Sequence, residues 1–82
     1  MSAVNFKEAV AYGKWLFGKK FKYATETDDG WLFFMDKNDK SLGEEQTWDE
    51  FEYTWNHTFP KNKDLQKIYK EICKNYEKNS GF

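Results

Sequence analysis

Arginine is absent from this chain of 82 residues, in which all 13 basic side chains are lysine. The planar guanidinium group of arginine is the usual choice for bidentate recognition of phosphate and guanine. Its absence argues against sequence-specific recognition of nucleic acid, because lysine contacts phosphate only as a point charge. AT-rich coding also raises lysine, asparagine, phenylalanine and tyrosine together, so this composition has a second explanation that carries no chemistry.

Cysteine and histidine are almost absent as well, with one residue of each, Cys73 and His57. An internal disulfide needs two cysteines and a closed zinc site needs four ligands, so the sequence predicts neither. Cys73 falls on the apolar stripe of a predicted helix, where a thiol is usually inert packing, so a nucleophile activated by His57 is disfavoured. Segment 36–40 starts like a calcium loop but lacks its glycine and glutamate, and no glycine-rich phosphate loop is present. We therefore predict that the chain is not an enzyme and holds no metal and no cofactor.

Long apolar runs and a signal segment are also missing. No stretch approaches the roughly 20 apolar residues that a membrane span requires, and the N-terminus has no basic and then apolar leader. A single cysteine fits a reducing compartment, and the length suits one compact domain over residues 1–82. These features predict a soluble cytoplasmic protein, monomeric or weakly dimeric, with no membrane partner.

Aromatic side chains take the place of aliphatic ones. Leucine, isoleucine and valine together number eight, whereas phenylalanine, tyrosine and tryptophan number 17. Each ring buries about 150–250 Å². Even this short chain therefore has enough apolar material for a core.

Charge is divided into three blocks along the chain. Residues 1–23 hold five lysines and one glutamate, residues 24–52 hold ten acids and two lysines, and residues 53–82 hold six lysines and three acids. The middle block carries a net charge of −8, against −1 for the whole chain. Such a block either attracts the basic ends within the fold or presents a face of one sign to partners.

Three helices are predicted from apolar spacing and capping signals. The first covers residues 6–17, between an Asn5–Glu8 capping box and Gly18. The second starts at a Thr47–Glu50 capping box and is closed by Pro60, and the third covers about residues 64–79. Matching apolar stripes on the last two helices predict six largely buried residues: Trp48, Phe51, Trp55, Leu65, Ile68 and Ile72.

Two strands and an optional third lie between the first and second helices. Alternation places Phe21, Tyr23 and Thr25 on one face of a half-buried strand, and a tight turn at 27–30 leads to a second strand at 31–35. Segment 41–43 is the start of the optional third strand. The predicted fold class is α+β, with a small antiparallel β-hairpin or three-stranded sheet packed on three helices in the order α-β-β-(β)-α-α.

Aromatic residues outside the predicted stripes are the first candidate binding site. Strand 31–35 is apolar on both faces, so it is either covered on both sides or offers one side for contact. Rings of the first two helices also fail to fit a single buried face, and tyrosine and tryptophan dominate binding hot spots. With nearby acids they form the predicted protein-binding set: Tyr53, Trp15, Tyr12, Glu44, Glu45, Asp49 and Glu52. Core packing at unusual angles is the alternative interpretation of these rings.

Lysines of the third helix are the second candidate site. Helical spacing places five ammonium groups along one ridge: Lys63, Lys67, Lys70, Lys74 and Lys78. We call these residues the lysine ridge. It predicts binding to an anionic partner or a phosphate backbone, or it is an ordinary solvated face that Glu71 and Glu77 partly neutralise.

These patterns predict a small non-enzymatic protein-binding module. Small bacteriophage accessory and counter-defence proteins often share this length, lysine usage and aromatic excess, which is an association by composition with no family motif behind it. The preferred hypothesis is an inhibitor from a bacteriophage or mobile element that docks on a larger host protein through exposed aromatics and the acidic segment 44–52. The alternative is a nucleic-acid-associated protein that uses the lysine ridge.

Overall fold

Helices and a three-stranded antiparallel sheet make up the fold in the computed structural model, which describes the backbone of residues 5–80 and the side chains of residues 5–75. The elements in chain order are α1 (Phe6–Phe17), β1 (Tyr23–Glu26), β2 (Trp31–Met35), β3 (Gln46–Thr47), α2 (Trp48–Thr58) and α3 (Lys63–Ser80). Short 3₁₀ turns follow α1 at Gly18–Lys20 and α2 at Phe59–Lys61. The predicted α+β class and element order are confirmed, including the optional third strand. No helix in the described part of the chain is long and apolar enough to cross a membrane.

Local signals determine where α1 and α2 begin. The Asn5 side chain accepts a backbone hydrogen bond from the first turn of α1, and its own N–H donates to Glu8 Oε2 at 2.9 Å. Thr47 and Glu50 close the second capping box in the same way, with Glu50 N–H donating to Thr47 Oγ1 at 3.2 Å. Each box satisfies donors that the first turn of a helix leaves without a partner. Both predicted helix starts are therefore confirmed.

The first strand begins later than the alternation suggested, and its faces are divided differently. The 3₁₀ turn Gly18–Lys20 delays the strand, so Phe21 lies before it and packs on Phe34 with 6.1 Å between ring centroids. Tyr23 pairs with Met35 instead and is exposed. The prediction that Phe21 and Tyr23 share one face is wrong, because regular alternation starts only at Tyr23.

The third strand lies at Gln46–Thr47, and not at the predicted start in segment 41–43. Gln46–Thr47 pairs with the first two residues of β2, whereas Ser41 makes only an isolated bridge to Met35. Between them the chain leaves the sheet at Gly43, whose φ is 73°. A loop therefore separates the bridge from the strand.

An aromatic core fills the space between the sheet and the helices. Phe34 of β2 and Phe51 of α2 are 2% and 0% exposed, and their ring centroids are 6.2 Å apart. Four of the six residues predicted to be buried are so: Phe51, Trp55, Leu65 and Ile72. The other two, Trp48 and Ile68, are half-buried against the same core.

A buried carboxylate joins α1 to α3. Glu8 is only 8% exposed, and its Oε1 accepts a hydrogen bond from the Tyr69 hydroxyl at 2.7 Å while its Oε2 accepts from Asn5 N–H. Burial, together with hydrogen bonds to Glu8 and Cys73, raises the pKa of Tyr69 above its ordinary value of 10.0. The folded state therefore favours the neutral phenol.

Replacing Tyr69 by phenylalanine should lower the free energy of unfolding by about 1–2 kcal/mol, because a carboxylate oxygen inside the fold loses its donor. Since the folded-state pKa of Tyr69 is raised, its stabilisation is complete below about pH 10 and is lost as the pH rises through the folded-state value. Urea unfolding from neutral to alkaline pH should thus show a smaller alkaline loss of stability in Tyr69→Phe than in the wild type. Tyr53→Phe, at an exposed ring, is the control and should follow the wild type. If Tyr69→Phe and the wild type lose equal amounts of stability at alkaline pH, ionisation of Tyr69 does not contribute to that loss.

Candidate functional site

One face of the sheet lies away from the core formed by residues 5–75. Leu32 and Phe34 point into the core and are 0% and 2% exposed, so the residues that alternate with them in β2 lie on the opposite face. The strand register adds neighbours from β1 and β3 on that face. We call these residues the outer sheet face: Tyr23, Thr25, Trp31, Phe33, Met35 and Thr47.

The outer sheet face is aromatic and accessible. Trp31 is 39% exposed and Tyr23 is 36% exposed, while Phe33 and Met35 are half-buried. None of these four belongs to the core or to the residues packed against it, and within residues 5–75 no other aromatic ring packs on Trp31 or Phe33. Exposed apolar surface of this kind commonly marks a contact site.

Carboxylates surround the end of this face where Trp31 lies. The turn between β1 and β2 carries Asp28 and Asp29, and Thr47, which pairs with Trp31, leads directly into the first turn of α2. We call the exposed acids at this end of the sheet the acidic end: Glu26, Asp28, Asp29, Asp49 and Glu50. Among them Glu26 pairs with Leu32, so its side chain lies on the helix side of the sheet. No lysine occurs in residues 23–36 or 41–60, so the charge of this group is not balanced locally in sequence.

The acidic end contains both engaged and unengaged carboxylates. Glu26 Oε2 accepts a hydrogen bond from the indole N–H of Trp48 at 2.7 Å, and Glu50 closes the capping box of α2. The other three make no hydrogen bond or ion pair to another described side chain: Asp28, Asp29 and Asp49. Among the described residues, no group of three or more His, Cys, Asp or Glu side chains is arranged to hold a metal ion.

The other end of the outer sheet face has an excess of lysine. Lys22 directly precedes β1, and Lys19 and Lys20 line one cleft with Lys37. The turn after β2 carries Asp36 and Asp39 together with Lys37 and Lys40. The Tyr23 hydroxyl donates to Asp39 Oδ1 at 2.8 Å, and this hydrogen bond is the main cause that raises the pKa of Tyr23. The outer sheet face is therefore polarised along its strands, with its excess negative charge at the Trp31 end.

Tyr53, the leading residue of the predicted protein-binding set, lies on a separate surface formed by α2. Its side chain is 66% exposed, and its ring lies against that of His57 with 4.1 Å between centroids. Asp49 is exposed one turn earlier on the same helix, and Glu52 is half-buried next to Tyr53 in sequence. The structure thus brings Tyr53 onto one helix surface with Asp49, which is itself part of the acidic end.

Tyr12 and Trp15 are half-buried, not exposed. The Tyr12 ring lies 5.6 Å from that of Phe51, and burial raises the pKa of Tyr12. The Trp15 ring lies 5.7 Å from that of Tyr12. Both rings pack against the core, because α1 contacts α3, β1 and α2 and so buries more than one of its faces. Their place in the protein-binding set stays a prediction.

Tyr12 and Glu44 line the same cleft, between the end of α1 and the loop before β3. The cleft has a volume of about 350 Å³, and its rim includes Leu16, which is 50% exposed. Glu44 and Glu45 are both exposed in that loop. The cleft is therefore mainly apolar, with carboxylates at one edge.

The lysine ridge is open to solvent as far as it is described. Lys63, Lys67, Lys70 and Lys74 are all exposed on α3, and so is Glu71 between them. The side chain of Lys78 lies outside the described residues. The ridge faces away from the apolar stripe that carries Leu65 and Ile72 into the core.

The outer sheet face is absent from the binding set predicted by sequence. The available signal was a strand, 31–35, that is apolar on both faces. That signal left open whether a second layer covers it. Tyr23 carried no signal, because alternation grouped it with Phe21, which packs into the core.

Comparisons with known proteins add nothing to the geometry described above. No protein-family model, no curated protein and no solved structure matches the chain.

Proposed function

We propose that the chain is a small non-enzymatic protein-binding module that docks on a larger protein through the outer sheet face. The observation that carries the proposal is the exposure of Trp31 and Tyr23, with Phe33 and Met35 beside them on the same apolar face of the sheet. Leaving such a surface in water costs free energy, and a partner that covers it recovers this cost. Tyr53 and Asp49 on α2 extend the contact area beyond the sheet.

The arrangement has the anatomy of a binding hot spot. Tryptophan and tyrosine bring a large contact area with few rotatable bonds, and a rim of polar groups surrounds them. Leu32 and Phe34 fix the strand register from the core side, since a shift of one residue would expose both. The rings are therefore held in place before a partner arrives, which reduces the entropy lost on binding.

We place this binding in an inhibitor of the counter-defence type, carried by a bacteriophage or mobile element. The support for this finer assignment is the association by composition: short length, lysine without arginine and an excess of rings. An inhibitor of this kind acts by occupying a surface of a larger host protein. The outer sheet face is the surface that would occupy it.

Association with nucleic acid through the lysine ridge is the second candidate function. It is favoured by one observation, the exposure of Lys63, Lys67, Lys70 and Lys74 along one side of α3. Ammonium groups in a row neutralise phosphates without reading bases. The ridge and the outer sheet face belong to different elements, so substitutions separate the two functions.

Trp31→Ala should weaken binding to the native partner by at least about 30-fold, because loss of a central hot-spot ring costs 2 kcal/mol or more. The full chain would be used to capture its partner from the native host, with captured proteins quantified by mass spectrometry. Circular dichroism would first show that each variant folds.

Two further variants serve as controls for that experiment. Tyr53→Ala removes an exposed ring from α2 and should weaken capture less than Trp31→Ala does. Lys67→Glu with Lys74→Glu reverses charge on the lysine ridge and should leave capture unchanged. Loss of capture only in the lysine variant would reject docking through the outer sheet face and favour the second candidate function.

A further inference from the structure

We infer that the partner surface that covers the outer sheet face presents arginine side chains to the acidic end, with one guanidinium stacked on Trp31. The inference rests on the proposed function and adds the chemistry of the partner and its orientation. Three observations meet at one end of the sheet: an exposed indole, carboxylates without a partner among the described side chains, and no lysine in the adjoining chain segments.

The charge of the acidic end requires a cationic neighbour once water is excluded. Asp28, Asp29 and Asp49 are solvated in the free chain. A partner that covers Trp31 also removes water from these carboxylates, and an unpaired carboxylate in an interface is costly. A neutral apolar partner surface would leave them unpaired, whereas a cationic one would compensate the loss of hydration.

Arginine suits this place better than lysine. Its planar group stacks on an indole face and at the same time donates paired hydrogen bonds to a carboxylate. Trp31 and the turn that carries Asp28 and Asp29 are adjacent in the chain, so both contacts are within reach of one side chain. A lysine ammonium provides charge but not the flat surface or the forked donors.

The same charges disfavour other occupants of the outer sheet face. A second copy docked face to face in the same strand direction would bring two acidic ends together, where like charges repel. The reversed dimer is the outcome that sedimentation tests. Phosphates of nucleic acid and anionic lipid headgroups would be repelled as well. Because lysines such as Lys22 and Lys37 lie at the Tyr23 end, a cationic partner is also oriented, with its basic groups toward Trp31.

Oligoarginine and oligolysine peptides of equal length are the probes for this inference. Each would be titrated into the full isotope-labelled chain while backbone amide and indole N–H shifts are recorded. Oligoarginine should shift the signals of Trp31 and its neighbours on the outer sheet face, and oligolysine should bind at least about threefold more weakly. Equal affinities for the two peptides would overturn the assignment to arginine, and shifts centred on another surface would overturn the site.

Matched variants separate this site from general attraction between opposite charges. Asp28→Asn with Asp29→Asn should weaken oligoarginine binding about tenfold, and Trp31→Ala about threefold or more. Asp64→Asn with Glu71→Gln removes the same charge from exposed positions of α3 and should have no effect. An equal loss in the two double variants would show unspecific electrostatics and overturn the inference. A wild-type chain that dimerises in sedimentation but not as Trp31→Ala would identify a second copy as the occupant, which also overturns it.

The native partner distinguishes failure of this inference from failure of the proposed function. Binding that is lost in Trp31→Ala but unchanged in Asp28→Asn with Asp29→Asn would retain docking through the outer sheet face and reject the arginine contact. Binding that is unchanged in Trp31→Ala would reject the proposed function itself. Loss in both variants, with the α3 double variant unaffected, is the expected result.

Discussion

Replacing Phe51 by alanine should lower the free energy of unfolding by about 3–5 kcal/mol. Phe51 is fully buried, and its ring contacts four others: Tyr12, Phe34, Trp48 and Trp55. These rings come from α1, β2 and α2, so the truncated side chain would leave a cavity where three elements meet. Large rings held by separate elements collapse into such a cavity only in part, which puts the expected cost at the upper part of the range for core truncations.

Urea unfolding followed by circular dichroism would measure this loss. Tyr53→Ala is the matched control, because it removes a ring from the same helix at an exposed position and should change stability by no more than about 0.5 kcal/mol. Phe51→Leu retains much of the volume and should cost about 1–1.5 kcal/mol, which keeps the test informative if Phe51→Ala does not fold. Similar stabilities for Phe51→Ala and Tyr53→Ala would contradict the core described for this fold.

Helix positions were predictable because their signals are local. The capping boxes at Asn5 and Thr47 satisfy backbone donors within one turn, whatever the rest of the chain does. The apolar stripes of α2 and α3 likewise need only helical periodicity, and Phe51, Trp55, Leu65 and Ile72 are buried as predicted. These local signals were therefore enough to predict the positions of the helices in the chain.

The faces of the sheet were not predictable in the same way. Which side of β1 is buried depends on the 3₁₀ turn after α1, which separates Phe21 from the alternation of the strand. The position of β3 depends on pairing with Trp31 and its neighbour across a loop. Both are decided by contacts between elements, which local patterns do not contain.

The candidate site shows the same limit. Tyr53 was correctly singled out as exposed, since it lies off the apolar stripe of α2. Tyr12 and Trp15 do not fit a single face of helix α1, and they pack on the core because this helix is contacted from several sides. The pattern of residues 31–35 allowed either a covered or an open second face. Only the tertiary packing, in which Leu32 and Phe34 join the core and Trp31 stays exposed, distinguishes them.

Gly13 is the position where adding one methyl group should have a large effect. A Cβ atom there would lie 2.6 Å from Cδ1 and 2.8 Å from Cζ of the Phe21 ring, well inside van der Waals contact. Phe21 in turn packs on Phe34, so the ring can retreat only toward the shallow cleft that it lines, away from the core. Gly13→Ala should therefore destabilise the fold by about 1–3 kcal/mol, although alanine is intrinsically better in a helix by about 1 kcal/mol.

A double-mutant cycle tests that explanation through a change of sign. In a Phe21→Ala background the ring is gone, so Gly13→Ala should stabilise the chain by about 0.5–1 kcal/mol through helix propensity alone. The coupling between the two positions would then be about 1.5–4 kcal/mol, far above the few tenths expected for independent sites. Unfolding free energies of the wild type, both single variants and the double variant, obtained from urea titrations, provide this value. If Gly13→Ala destabilises both backgrounds equally, the close approach of Phe21 to α1 is not the reason for glycine at this position. If Gly13→Ala stabilises both backgrounds, the contact between Gly13 and the Phe21 ring is absent in solution.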